Sequence, residues 1–200
     1  MIIARNLDTV VVGAGFAGMY CLYKQIQDGF NAEIFEKADD VGGTWYWNKY
    51  PGARCDIESM DYSYSFSEEL QQEWNWKEKY GTQPEILEYA RFVSKKFNLR
   101  EKINFKTSIV KARFINNKWM IETDNNIKIE CKYLVLATGN LSTPNTPNIE
   151  GLSNFKGRIY HTGAWPEKMP EFEGRKVGII GTGSSGVQSI PVISETAQEL

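Results

Sequence analysis

The 200-residue sequence predicts an α/β fold built from two similar strand–loop–helix units, and three observations carry that expectation. A short run dominated by valine, DTVVV at 8–12, leads into a glycine loop, GAGFAG at 13–18. A second apolar run ending in an acid, AEIFE at 32–36, follows one helix length later. The opening theme then returns in RKVGIIGTGSSGVQ at 175–188: apolar run, glycine loop, helix start.

Each element has a local reason. A strand buried on both faces of a parallel sheet reads as a continuous apolar run, which fits 8–12. After the glycine loop, Met19, Leu22 and Ile26 recur at helical spacing, and Gly29 is a natural stop. Residues 38–82 are irregular and rich in Gly, Trp, Tyr and Ser, which marks a long functional segment. PEILEYARFVSKKF, from 84, reads as an amphipathic helix with Pro84 in its first turn and Ile86, Ala90, Val93 and Phe97 inward. INFK, IVKARFI, KWMIET and IKIEC read as short strands of a β-meander over about 103–131, with Asn116-Asn117 a tight turn. YLVLATG, 133–139, reads as a further buried strand. NLSTPNTPNIEG, 140–151, is a Pro- and Asn-rich boundary.

Composition narrows the function. The net charge is −2, with 23 basic and 25 acidic residues, which argues against the clustered basic footprint of a nucleic-acid binder. Aromatics make up 13% of the chain and crowd between Trp45 and Trp76, so they either pack together or wall a flat ligand. The cysteines Cys21, Cys55 and Cys131 are scattered, with no C-x-x-C, so neither a dithiol centre nor a metal site is expected. No apolar run approaches the roughly 18 residues of a membrane span, and no secretory leader is expected. Free thiols suit a cytoplasmic location.

The glycine loops carry the chemistry. Gly13 permits the tight turn out of the strand, Gly15 lets backbone approach a pyrophosphate, and Gly18 lets helix pack on strand. Phosphates then sit at the helix N-terminus, where N–H groups and the dipole favour negative charge. Glu36 lies 23 residues beyond Gly13, where an acid grips a ribose hydroxyl. Gly181, Gly183 and Gly186 repeat the pattern. The fold class expected is therefore α/β with two Rossmann-like dinucleotide-binding domains. Two such sites predict two cofactors, a held flavin and a nicotinamide that reduces it.

GGTWYWNKYPGARCDIES at 42–59, with F-x-G-x-x-x-H-T-x-x-W-P at 155–166, resembles the Baeyer–Villiger monooxygenases of the cyclohexanone and phenylacetone type. The resemblance covers essentially the whole chain. It implies FAD in the first cradle, at Gly13, Gly15, Phe16 and Gly18 with Glu36, and contacts from Thr44, Trp45, Tyr46, Trp47, Asp56, Tyr62 and Ile109. It implies NADPH in the second, at Thr182, Gly183, Ser184, Ser185, Gly186, Val187 and Gln188, touching Arg54, Cys55 and Asp56. Domains are expected at 1–140 for FAD, 141–165 for the linker, and 166–200 for the start of an NADP domain truncated at Leu200.

The activity implied is insertion of one oxygen atom of O2 into a ketone C–C bond through a C4a-peroxyflavin, giving an ester or lactone. Asp56 matches the carboxylate that holds the family's active-site arginine, which lies beyond residue 200; Arg54 matches its neighbour. Phe155, Gly157, His161, Thr162 and Trp165 match a motif that couples cofactor binding to domain movement, so His161 is read as a coupling residue rather than a general base. The chain is expected to be the N-terminal portion of such an enzyme, completed by the rest of that protein and inactive alone.

Two rival readings differ in class. A flavin-containing monooxygenase acting on N or S atoms shares both cradles, but usually lacks tryptophan at the place of Trp165. A non-catalytic FAD-binding module is the third reading. Cys55 has no base in its motif and is not expected to be a nucleophile. Trp74 and Trp76 are expected to pack rather than stack on a ligand, and the basic residues of 91–102 to form a solvated helix face.

Overall fold

A computed structural model describes residues 5–200. The expected run from the N-terminus into the first strand lies, for residues 1–4, outside the described residues. In chain order the elements are β1 (Arg5–Val12), α1 (Phe16–Gln27), β2 (Ala32–Phe35), α2 (Thr44–Trp47), α3 (Glu68–Glu73), α4 (Gln83–Lys96), β3 (Ile103–Asn104), β4 (Ile109–Ile115), β5 (Lys118–Thr123), β6 (Lys128–Leu136) and α5 (Ser184–Ser194). They divide into two units. One takes the chain up to Tyr46 and again from Leu87 to Asn140; the other takes Trp47–Ile86 and Leu141–Leu200.

The first unit is mixed α/β around a six-stranded sheet of order β3-β2-β1-β6-β5-β4. β1 pairs in parallel with β2 and β6, and β2 with β3, while β6, β5 and β4 pair antiparallel. Successive strand side chains point to opposite faces. Accordingly Val11, Ile34 and Ile103 join Met19 and Leu22 of α1 in one apolar cluster, whereas Val10 and Phe35 join Ile121 and Ile129 in another. Both faces of β1 are covered, which is why it ends in the apolar run Val10–Val12, while the buried Thr9 hydroxyl donates to Gln25 Oε1 at 2.6 Å. Burying each such side chain contributes roughly 1.5–3 kcal/mol.

The terminators behave as their chemistry requires. Gly29 stands at φ +80°, and its N–H donates to Ile26 O at 3.1 Å, closing α1. Asn116 and Asn117 take φ of 52° and 62° between β4 and β5. Two left-handed residues match the twist of a two-residue hairpin.

Besides INFK, whose strand β3 pairs in parallel with β2 at the sheet edge opposite β4 and so lies outside the expected meander, three expectations change. IKIEC and YLVLATG form one strand, β6, which pairs with β1 in unbroken register from Arg5↔Ile129 to Val12↔Leu136. Lys132 between them is exposed, so its charge does not interrupt the ladder. The basic residues of 91–102 are not simply solvated. Arg91 Nε and Arg100 Nη1 each donate to Asp40 at 2.7 Å, and the Arg100 guanidinium lies 4.8 Å from the Phe105 ring centre.

The third change concerns the run VGII at 177–180, which is not a strand. In the second unit its only rungs among the described residues are the Lys176↔Glu199 parallel bridge and the Val177 N–H to Glu199 O bond of 2.8 Å. A parallel strand exists through its neighbours, and the described residues supply a single bridge beside it.

Candidate functional site

The first glycine loop joins β1 to α1. Gly13 has φ +103°, and a Cβ there would lie 2.6 Å from Ala137 O. A Cβ on Gly18 would lie 1.9 Å from Gly13 O, so helix and loop touch through glycine alone. Gly15 is the N-cap of α1, at φ −77° and ψ −173°, with no side-chain cap and no acid in the first turn. Such a helix start favours an anion.

Glu36 is buried beside this loop. Its Oε2 accepts the Ala14 N–H at 2.7 Å and its Oε1 the Ala38 N–H at 2.8 Å. A carboxylate offers about four acceptor positions, so capacity for a ribose hydroxyl remains. The residues fit an adenine dinucleotide: glycine backbone for the pyrophosphate, acid for the sugar.

Two further parts of this loop are Gly42 and Gly43, which open the 42–59 motif but had no role assigned from the sequence. Gly42 N–H donates to Ala14 O at 3.0 Å, and a Cβ on Gly43 would lie 2.9 Å from Gly15 Cα. The adjacent glycines in DVGGTW were the available signal. Beyond them Thr44, Trp45 and Tyr46 open α2, with Trp45 buried. The Tyr46 hydroxyl donates to Asp39 Oδ1 at 2.6 Å; that bond, with burial, pushes Tyr46 up to about 12. Tyr46 is therefore a neutral donor already committed within the protein. Phe16 lies 6.0 Å from the Tyr89 ring, and Ile109 opens β4 at an irregularity in its pairing with β5.

The second unit holds the other predicted residues: Trp47, Arg54, Cys55, Asp56, Tyr62, the 155–165 motif and the loop 182–188. Its glycine loop repeats the first. Gly183 is the N-cap of α5 at φ −72° and ψ 180°, again without a side-chain cap. Gly181 has φ +114°, and a Cβ on Gly186 would meet Gly181 O at 2.5 Å. Val187 N–H donates to Gly183 O at 3.0 Å, as Met19 N–H does to Gly15 O at 3.0 Å. Two chain segments far apart in sequence thus build one backbone shape.

Residues 53–55 pair with 81–83 through the Arg54↔Thr82 bridge and the bonds Cys55 N–H to Gly81 O and Gln83 N–H to Ala53 O. The Asp56 Oδ1 accepts from Gln188 Nε2 at 2.8 Å, so α5 and the Arg54–Asp56 segment are brought together. Burial pushes the Cys55 thiol up, as it does Cys21, and takes Cys131 to about 11. All three are protonated and weakly nucleophilic at neutral pH.

The histidine motif is locally self-consistent. His161 Nδ1 accepts the Gly163 N–H at 3.0 Å, which places the imidazole proton on Nε2, 3.2 Å from Asn145 O. Thr162 opens the single helical turn that His161 caps. A Cβ on Gly157 would lie 2.4 Å from the Phe155 ring, which explains their spacing. Trp165 stacks obliquely with Tyr160 at 5.6 Å and Phe172 at 6.4 Å. Its buried Nε1–H meets no acceptor among the described residues. Trp74 and Trp76 pack edge to face at 5.6 Å.

Among the described residues no group of three His, Cys, Asp or Glu could hold a metal, and no helix is long and apolar enough to cross a membrane.

Two glycine loops of one backbone shape, the first with the buried acid Glu36 beside it, fit a nucleotide-binding oxidoreductase scaffold. The chain belongs to the pyridine nucleotide-disulphide oxidoreductase family, whose profile matches residues 10–194. It is 46% identical over 202 residues to a Baeyer–Villiger monooxygenase of Pseudooceanicola batsensis, covering 99% of this chain and 37% of that protein. It is 46% identical over 198 residues to the phenazine N-monooxygenase PhzNO1 of Lysobacter antibioticus, covering 98% and 36%. The solved structure of OTEMO in complex with FAD and NADP superposes with a TM-score of 0.90 at 40% identity, covering 97% of this chain and 38% of that one. The resemblance to Baeyer–Villiger monooxygenases read from the motifs is borne out, and the chain spans little more than a third of the length of these relatives.

Proposed function

We propose that this chain is the dinucleotide-binding part of an FAD- and NADPH-dependent monooxygenase that inserts one atom of O2 into a ketone C–C bond, giving an ester or lactone. The observation that carries the reading is the repeated cradle: two uncapped helix starts with matching N-cap dihedrals, each closed by a glycine that admits no side chain. FAD belongs to the first, because Glu36 provides the ribose acceptor there. NADPH belongs to the second. The domain reading follows: an FAD-binding part over 1–140 with its β-meander, a linker over 141–165, and an NADP-binding part from 166.

FAD held at Gly13–Gly18 and Glu36 would supply the redox chemistry, hydride acceptance from NADPH and activation of O2. This chain's residues bind, orient and shield. The backbone of Gly13–Gly18 and Gly181–Gly186 receives the phosphates. The aromatic segment from Thr44 to Trp76 excludes water, which would otherwise divert the activated oxygen. Asp56, held by Gln188, presents a carboxylate able to hold a cation that stabilises developing negative charge on the ketone oxygen. His161 acts by holding the linker turn in shape, since both its ring nitrogens are engaged with backbone.

The test is product analysis with the whole protein, FAD, NADPH, O2 and a cyclic ketone. The expected result is lactone formed in step with NADPH consumed. Consumption of NADPH without lactone would contradict the reading. The equal identity to an N-oxygenating relative favours one second reading, oxidation of a heterocyclic nitrogen. An N-oxide from a phenazine, with cyclic ketones left unchanged, would select it.

A further inference from the structure

The side-chain amide of Gln188 is fully occupied. Its Nε2 donates to Asp56 Oδ1 at 2.8 Å and to Arg54 O at 3.1 Å. Its Oε1 accepts from the Tyr50 hydroxyl at 2.9 Å and from the Arg54 N–H at 3.2 Å. An amide has two donor hydrogens and two acceptor positions, and all four are used. Its orientation is also fixed, because a flip would set donor against donor and oxygen against carboxylate.

A second contact converges on the same residue. Gly52 has φ +74°, and a Cβ there would lie 2.2 Å from the carbonyl oxygen of Gln188 and 3.1 Å from Val192 Cγ2. The segment 50–56 is thus seated on α5 by backbone at Gly52 and by amide at Arg54 and Asp56. Gln188 is the fifth residue of α5, one turn beyond the Gly183 N-cap where a dinucleotide phosphate would rest.

We propose that Gln188 is a positioning residue, not a nucleotide contact: its amide fixes Arg54 and Asp56 against the helix that opens the second cradle. Nucleotide binding at Gly183 and the placement of the Asp56 carboxylate are then two readouts of one helix. The functional part rests on the reading that the second cradle takes NADP; the structural part does not. The resemblance to Baeyer–Villiger enzymes placed Gln188 among nucleotide ligands, and the geometry spends its hydrogen-bonding capacity elsewhere.

The experiment uses the full chain and four forms: unaltered, Gln188→Glu, Asp56→Asn, and both together. Gln188→Glu keeps size and both acceptors, loses both donors, and sets a carboxylate against Asp56. Amide hydrogen exchange of residues 50–56 is measured without nucleotide, and NADP+ affinity by titration. In Gln188→Glu, exchange over 50–56 should rise, and NADP+ affinity fall, by about tenfold, the size expected for losing a hydrogen bond to a charged group. Adding Asp56→Asn returns a donor to face the introduced carboxylate and should recover most of both changes. Lost affinity with unchanged exchange over 50–56, or no recovery in the double variant, would overturn the proposal. If no form binds NADP+, the cofactor reading fails, and exchange alone decides Gln188: raised and recovered supports it, unchanged refutes it. Should Gln188→Glu fail to fold, Gln188→Met is read by the same exchange criterion.

Discussion

Gly183 and Gly186 stand three residues apart and should fail differently when given a side chain. A Cβ at Gly183 meets nothing within 4 Å, whereas one at Gly186 meets Gly181 O at 2.5 Å. Gly183→Ala should therefore leave the melting temperature unchanged and weaken NADP+ binding at least tenfold, because the methyl lies where the pyrophosphate approaches. Gly186→Ala should lower the melting temperature as well. Equal effects on binding and stability in the two variants would contradict this division. Asp40 makes a second residue-scale case. Burial pushes its carboxyl up, but hydrogen bonds from Arg100 and Arg91 outweigh that and hold it below the ordinary carboxylate value. A lowered folded-state value contributes stability that is complete above the unfolded value, about pH 4, and is lost as pH falls through the folded one. Asp40→Asn should cost about 1–2 kcal/mol at neutral pH. It should also flatten the loss of stability below pH 4, read by urea unfolding; an unchanged acid profile would exclude Asp40 as a contributor. The glycines of the two G-x-G-x-x-G loops were legible in the sequence because their spacing is local, whereas Gly42 and Gly43 reach the first loop from 24 or more residues away. The Asp40–Arg91–Arg100 cluster was not legible, since 60 residues separate Asp40 from Arg100 and charge alone names no partner.

Among the elements, those fixed by local chemistry were readable and those fixed by neighbours were not. α1 shows helical spacing with Gly29 as its stop, α4 shows helical spacing with Pro84 in its first turn, and the β4–β5 turn carries its two asparagines. The joining of IKIEC to YLVLATG depends on β1 alongside, and the missing strand at VGII on the want of more than one bridge. The linker element carries a sharper prediction. His161 caps the turn Thr162–Ala164 through Nδ1 and reaches Asn145 O through Nε2. His161→Ala removes both bonds, so NADPH consumption should uncouple from product, with hydrogen peroxide taking up the difference. His161→Asn can restore the cap to Gly163 and should recover part of the coupling. Unchanged coupling in His161→Ala would remove the linker from the account. Trp165→Phe keeps the ring contacts and deletes a buried N–H that has no acceptor among the described residues. An unmatched buried donor costs roughly 1–3 kcal/mol. Without nucleotide the variant should thus melt no lower than the unaltered chain, and a clear loss of stability would show that the indole nitrogen is already matched.

For the molecule as a whole, each unit presents apolar side chains to solvent. Leu136 on β6 is 68% exposed in the first, and Ile180, beside the second cradle, is 82% exposed in the second. β5 pairs with β6 only as far as Trp119↔Cys131, so the far half of β6 has β1 on one side alone among the described residues. Open edges with apolar side chains invite pairing. The 200-residue chain by itself should self-associate as its concentration rises, by sedimentation velocity, and should not oxygenate a ketone. A monomer at all concentrations would contradict the first expectation, and ketone-dependent NADPH use the second. Oxygen insertion is measured on the whole protein, loaded with FAD and given NADPH, a cyclic ketone and isotopically labelled O2. The expected product is a lactone carrying one labelled oxygen per NADPH consumed, with a second labelled atom released as water. NADPH oxidised at the same rate, with the ketone recovered intact and all the label in hydrogen peroxide, would contradict it.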